Sequence, residues 1–290
     1  MKAFALTALT AMLVAPVAVF AAETTIKVPV NKLAAPPVVD GKADEWGKEG
    51  WQKVLVKPAL EHDEQNNTGE LEVSVKTGVA GDRFFMVASW PDEGEDRTYK
   101  TWKWSGNKYK RGKERDDMLA IRFHMDGEYD KCMLAPNTYR VDVWVWSAGR
   151  SDLAGFAEDF VHLISTKPLE ESAEYTLPGT NTMVYIQKPR DEGNPMYEYT
   201  QPTSKEGEDY PGVKLTNAGS GSLMDVTAKG VWANGKWTVE LSRKLDTGHK
   251  DDVSFLPART IKSALAVFNK GYGEHKSTTA ELVLDFSGAM

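Results

Sequence analysis

The stretch Asp116–Arg150, DDMLAIRFHMDGEYDKCMLAPNTYRVDVWVWSAGR, decides the fold. Within it, Met118–Phe123 and Val141–Trp146 are short runs rich in β-branched and aromatic residues, bounded by Gly, Pro and Asn. Runs of that length between turn residues predict buried strands rather than helix. Alternation places Val141, Val143 and Val145 on one face of the second run and Asp142, Trp144 and Trp146 on the other. Two indoles on one face serve either as core or as a flat apolar wall for a bound group. Between the runs, Cys132 and Met133 offer soft sulfur, which suits haem iron or copper better than a hard cation. Taken singly, Cys132 reads equally as a small buried hydrophobe and Met133 as core filler.

The strand pattern continues on both sides. Leu71–Thr77 alternates as a half-buried strand, and Arg83–Trp90 is apolar on both faces, as the middle of a covered sheet requires. Val38–Trp46 holds an Asp-Gly turn and then a short helix opening at Ala43 or Asp44. Beyond the central stretch, Ser151 or Asp152 is placed to cap a short helix through Leu153, Phe156, Phe160 and Ile164. Asn234-Gly235, between Met224–Trp232 and Lys236–Arg243, is a type I′ hairpin signal. Ser263–Phe268 and Glu281–Phe286 supply two further strands. Many short strands with little helix predict an all-β, antiparallel β-sandwich with one long loop insertion. That insertion is the irregular excursion at residues 167–221, which holds Pro168, Pro178, Pro189, Pro195, Pro202 and Pro211 and reads as a cover over the site. Arg97–Glu114 interleaves basic residues with Tyr99, Trp102, Trp104 and Tyr109, the pattern of a solvated loop or of an aromatic-basic recognition surface.

Residues 1–22 carry Lys2, an apolar run and small residues at the end, which predicts a secretory signal peptide. Residues 23–290 then form a single domain, periplasmic or otherwise exported, with no membrane span after signal removal. With 35 basic and 42 acidic residues the net charge is −7, and no basic block is long enough for a nucleic-acid footprint. A single cysteine excludes an internal disulfide, and the lack of C-x-x-C-H excludes the usual covalent haem attachment. The sequence offers no spaced His/Cys set for zinc or copper. The carboxylate pairs Asp116–Asp117 and Asp251–Asp252 are neighbours on the chain, so on a strand they point to opposite faces and make poor acid/base couples.

Several segments, in their order, carry a family resemblance: Val39–Trp46, Phe84–Trp90 running into Pro91-Asp92, Asp117–Phe123, Asp142–Arg150, Trp237–Leu245, and Ala264–Phe268 with its Glu274–Ser277 loop. The chain resembles the haem-binding domain related to the γ subunit of ethylbenzene dehydrogenase and other type II dimethyl sulfoxide reductases. The fold of that domain is like the family 9 carbohydrate-binding modules. The resemblance implies a non-covalent haem b in a β-sandwich, with a Met ligand from the segment before the D-x-W-x-W strand and a Lys ligand from the loop before the last strand. On this sequence the first is Met133, and the second is His275 or the adjacent Lys276, with a Cys132 thiolate as a third option. A neutral imidazole needs no unusual pKa shift to bind iron, whereas a lysine must first lose its proton. The implied protein is an electron carrier without substrate turnover of its own. Its implied partner is a redox protein, either a molybdenum-enzyme subunit or a multihaem cytochrome subunit of a respiratory oxidoreductase. The alternative is a cofactor-free carbohydrate-binding module of the same fold, binding sugar through Trp102 and Trp104.

Overall fold

Apolar residues at every second position commit most of this chain to strands with one or both faces buried. The computed structural model describes residues 25–58, 69–177 and 179–289, so the expected signal peptide at 1–22 lies outside the described residues. The strands begin with β1 (Thr25–Lys32), β2 (Gln52–Pro58), β3 (Leu71–Ala80) and β4 (Arg83–Pro91). There follow the short β5 (Trp102–Trp104) and β6 (Tyr109–Arg111), then the long β7 (Met118–Gly127), β8 (Tyr139–Ser147) and β9 (Phe156–Ser165). The excursion contributes β10 (Ala173–Thr176), β11 (Met183–Gln187), β12 (Tyr197–Tyr199), β13 (Asp209–Tyr210) and β14 (Val213–Leu215). The chain ends with β15 (Val226–Ala233), β16 (Lys236–Lys244), β17 (Thr260–Asn269), β18 (Glu274–Thr278) and β19 (Glu281–Asp285). Helix among the described residues is limited to 3-10 turns of three or four residues, and none is long and apolar enough to cross a membrane.

Among the described residues, fourteen strands form one sheet that returns on itself: β17, β7, β8, β9, β15, β16, β4 and β3 pair in succession, and β1 and β19 complete the circuit to β17. The result is an all-β sandwich, as expected. Its pairings are antiparallel except at β1, which runs parallel to both β19 and β3. Between the layers lie Val54, Val75, Phe84, Met86, Leu119, Ile121, Phe123, Trp144, Trp146, Trp237, Leu241, Leu265 and Phe286. Phe84 stacks on Phe255 with ring centroids 4.8 Å apart, and Trp146 meets Trp237 edge-on at 5.0 Å. The outer face of β4 is also covered, because Phe85 and Val87 pack against Trp46. The guanidinium of Arg243, fully buried over the Trp144 ring, donates to Asp142 at 2.6 Å and to Asp159 at 3.1 Å.

Local expectations meet three different outcomes. The Asn234-Gly235 hairpin forms with both residues at positive φ, 53° and 74°, as a type I′ turn demands. The helix expected after Asp152 does not extend: Ser151–Ala154 makes one 3-10 turn, Gly155 turns left-handed (φ 76°), and Phe156–Ser165 continues as β9. Pairing with β8 along its length supplies β9 with the hydrogen bonds and apolar contacts that an isolated short helix would lack. The excursion is less irregular than expected, since it contains β10–β14, and β11 adds to the main sheet beside β9.

Candidate functional site

Strands β17, β7, β8 and β9 bury one face in the sandwich, and their other face forms the floor of a cavity of about 660 Å³. That volume falls in the range of roughly 300–1,000 Å³ typical of cofactor and ligand sites. The hollow follows from small side chains in register: Ala266 pairs with Ala120, and Ala120 pairs with Val145 across three adjacent strands. Met118, Val143 and Phe160 complete the apolar floor.

The β7–β8 connection forms one wall, bringing Lys131, Cys132, Met133 and Leu134 to the cavity. It is held from below, because Arg122 Nη2 donates to the Lys131 carbonyl and the Tyr139 hydroxyl donates to the carbonyls of Asp130 (3.1 Å) and Cys132 (3.2 Å). The Asp130 carboxylate accepts the Cys132 N–H at 2.8 Å and closes the turn. The excursion supplies the cover with Tyr175, Ile186 and Lys188, and Phe268, Tyr272 and His275 close the opposite side.

Met133, Cys132 and His275 therefore meet at one cavity, although His275 is more than 140 residues from the two sulfurs in sequence. Three other expected site residues do not reach it. Trp144 and Trp146 are fully buried in the sandwich core, on the face of β8 away from the cavity, so the apolar wall is made by Val143 and Val145 instead. Lys276 is 2 % exposed, is not among the lining residues, and donates from Nζ to Glu274 Oε1 at 2.9 Å. Alternation along β18 explains this, since adjacent residues on a strand leave it in opposite directions.

The structure also adds residues that the sequence reading passed over. His162 lies two positions from Phe160 on β9 and shares its face, and the Nδ1 atom is buried without a hydrogen-bond partner. Burial, reinforced by the charges of Lys188 and Arg122, pushes the His162 pKa down to about 3, so the ring is neutral. Lys188 stands at the rim, and crowding by protein atoms, followed by the Arg122 charge, lowers its pKa. Met118 brings a second sulfur, but Arg150 Nη2 lies 2.8 Å from its Sδ, which leaves Met133 as the uncommitted thioether. The cavity is thus apolar with a cationic lining of Arg122, Lys131, Lys188 and Lys57, and no carboxylate is among its described lining residues. One terminal nitrogen of Arg122, Nη1, is buried without a partner. The His275 ring stacks on Phe268 at 4.8 Å and 8°, and Nε2 is 3.0 Å from Ser277 Oγ.

The aromatic-basic segment is a small three-stranded sheet of β13, β5 and β6. Trp102 donates from its indole to the Thr200 carbonyl at 3.0 Å and lies under Arg111, and Trp104 packs edge-on to Tyr109 beneath Lys205. Arg111 thus covers one face of the Trp102 ring and Lys205 one face of the Trp104 ring.

A family model described as ethylbenzene dehydrogenase matches residues 43–280. No curated protein matches the chain. Among solved structures, a Bacteroides uniformis protein described as carbohydrate-binding is 11 % identical with a TM-score of 0.41, over 91 % of this chain and 100 % of that one. A family 9 carbohydrate-binding module from Caldicellulosiruptor kristjanssonii, in complex with glucose, is 9 % identical with a TM-score of 0.38, over 90 % and 96 %.

Proposed function

Since this chain belongs to the ethylbenzene dehydrogenase family, we propose that it is an exported electron-transfer protein that holds a non-covalent haem b in the cavity above β17, β7, β8 and β9. The observation that carries the reading is the donor set: an apolar hollow of about 660 Å³ with a thioether, imidazoles and several cations, and no carboxylate among its described lining residues. A planar apolar ring with two anionic carboxylate arms fits such a lining. Arg122 would offer its charge to the carboxylate arms, and the alanine row would leave room for the ring. When bound, the haem supplies one-electron chemistry, and the protein sets its ligands, burial and field.

Met133 supplies the sulfur ligand, on a loop that Arg122 and Tyr139 hold in place. Lys188 supplies the nitrogen ligand, in place of the His275, or its alternative Lys276, expected from sequence. Burial, followed by the Arg122 charge, lowers the Lys188 pKa, which eases loss of the proton that must leave before the amine can bind iron. His275, stacked on Phe268, flanks the ring, and the cover from β10 and β11 limits water. The partner is a redox subunit of an oxidoreductase.

A reduced-minus-oxidised visible spectrum of the protein produced with haem supply, with acid-acetone extraction of the pigment, tests the reading. A sharp α band with extractable haem is expected, and Met133→Ala and Lys188→Ala each convert low-spin to high-spin iron. Conversion by His275→Ala but not by Lys188→Ala reassigns the nitrogen ligand to His275. A colourless protein after haem reconstitution that binds a glycan through Trp102 and Trp104 overturns the carrier reading in favour of the carbohydrate-binding one.

A further inference from the structure

Away from the cavity, the segment after β11 and the loop between β16 and β17 bring together acidic side chains that are distant in sequence. Asp191, Asp251 and Asp252 each place a carboxylate oxygen within 4.8 Å of the others. Asp191 is 5 % exposed, and neither of its oxygens has a hydrogen-bond donor among the described residues. A buried carboxylate without a donor or a cation is among the costliest groups a fold can retain. The Arg243 guanidinium, whose charge reaches Asp191, does not meet that need. It is already shared by Asp142 at 2.6 Å and by Asp159 and Asp252 at 3.1 Å, which leaves an excess of negative charge before Asp191 and Asp251 are added.

We propose that Asp191, Asp251 and Asp252 bind a hard divalent cation of the calcium class. The site offers oxygen alone, which selects such an ion over zinc or copper. The nearby His249 is engaged by Asp225 at 2.8 Å. Asp251 is fixed for the role, since its Oδ2 accepts from Ser222 Oγ at 2.7 Å and from the Glu192 N–H at 3.3 Å. Asp191 is fixed through its backbone, whose N–H donates to the Asp159 carbonyl on β9 at 3.2 Å. Because Asp191 stands three residues beyond Lys188, the ion also ties the cover of the cavity to β9 and to the 246–253 loop.

Calcium titration of the chelator-treated full chain, by calorimetry and by thermal unfolding, tests the site. At calcium about 100-fold above its dissociation constant the melting temperature rises by about 5 °C or more. Asp191→Asn abolishes the rise, yet in chelator it melts no lower than the wild type, because it removes an uncompensated buried carboxylate. Asp251→Asn weakens calcium binding by about tenfold or more. Absence of binding heat and of any thermal shift in the wild type up to about 10 mM calcium overturns the site, as does a full calcium response in Asp191→Asn. Neither readout depends on haem.

Discussion

His275 and Lys276 are neighbours in sequence, yet they leave β18 on opposite sides: His275 lines the cavity, and Lys276 is buried against Glu274. Lys276→Ala is therefore expected to leave the haem spectrum unchanged while destabilising the fold by about 3–5 kcal/mol, the cost of breaking a buried ion pair. Urea unfolding alongside the visible spectrum checks both halves. A low-spin to high-spin conversion in this variant places Lys276 at the iron.

Arg122 holds the Met133 loop, and its Nη1 is buried without a partner among the described residues. Arg122→Gln should weaken haem binding by about 10- to 100-fold, the loss of a charge-assisted hydrogen bond. Arg122→Lys should recover part of that loss by keeping the charge. Haem titration of the apoprotein followed by its Soret band measures both.

Asp117 is fully buried and accepts from the Trp237 indole at 3.0 Å and from the N–H groups of Asp96 and Lys270 at 3.0 Å. Burial outweighs those donors and raises its pKa to about 7. The folded state then holds a proton that the unfolded chain, with a carboxyl near 3.9, has lost. Stability contributed by Asp117 is accordingly full below about pH 4, falls as pH rises toward about 7, and is flat above, a change on the order of 2–4 kcal/mol. Asp117→Asn should lose that slope in denaturant unfolding measured from pH 4.5 to 8. Its stability should also be lower throughout, because an amide NH₂ then faces an N–H donor.

Gly230 sits where only hydrogen fits, since a Cβ there would lie 2.2 Å from Trp146 Cζ2. Its N–H donates to Asp152 Oδ1 at 2.7 Å, the same oxygen that accepts the Trp146 indole at 2.8 Å, so neither partner is free to retreat. Gly230→Ala should destabilise by about 1–3 kcal/mol or more, read as a lower denaturation midpoint at unchanged slope.

Sequence alone determined the strands and their two faces. Alternation through Val141–Trp146 separates the valines from the indoles, and the Asn234-Gly235 turn fixes its hairpin, because both depend on residues within one or two positions of each other. It also marked Met133 and His275 as candidates that the fold does bring to one cavity. What lies beneath each face is a different matter, since it depends on which strands return from elsewhere. Only closure of the sheet decided that the Trp144 and Trp146 face looks into the core and the valine face onto the cavity. Only the crossing of distant segments brought His162 and Lys188 to Met133, and Asp191 to Asp251 and Asp252. These meetings have no local signature, because burial and charge at each site are set by atoms from strands far away in the chain.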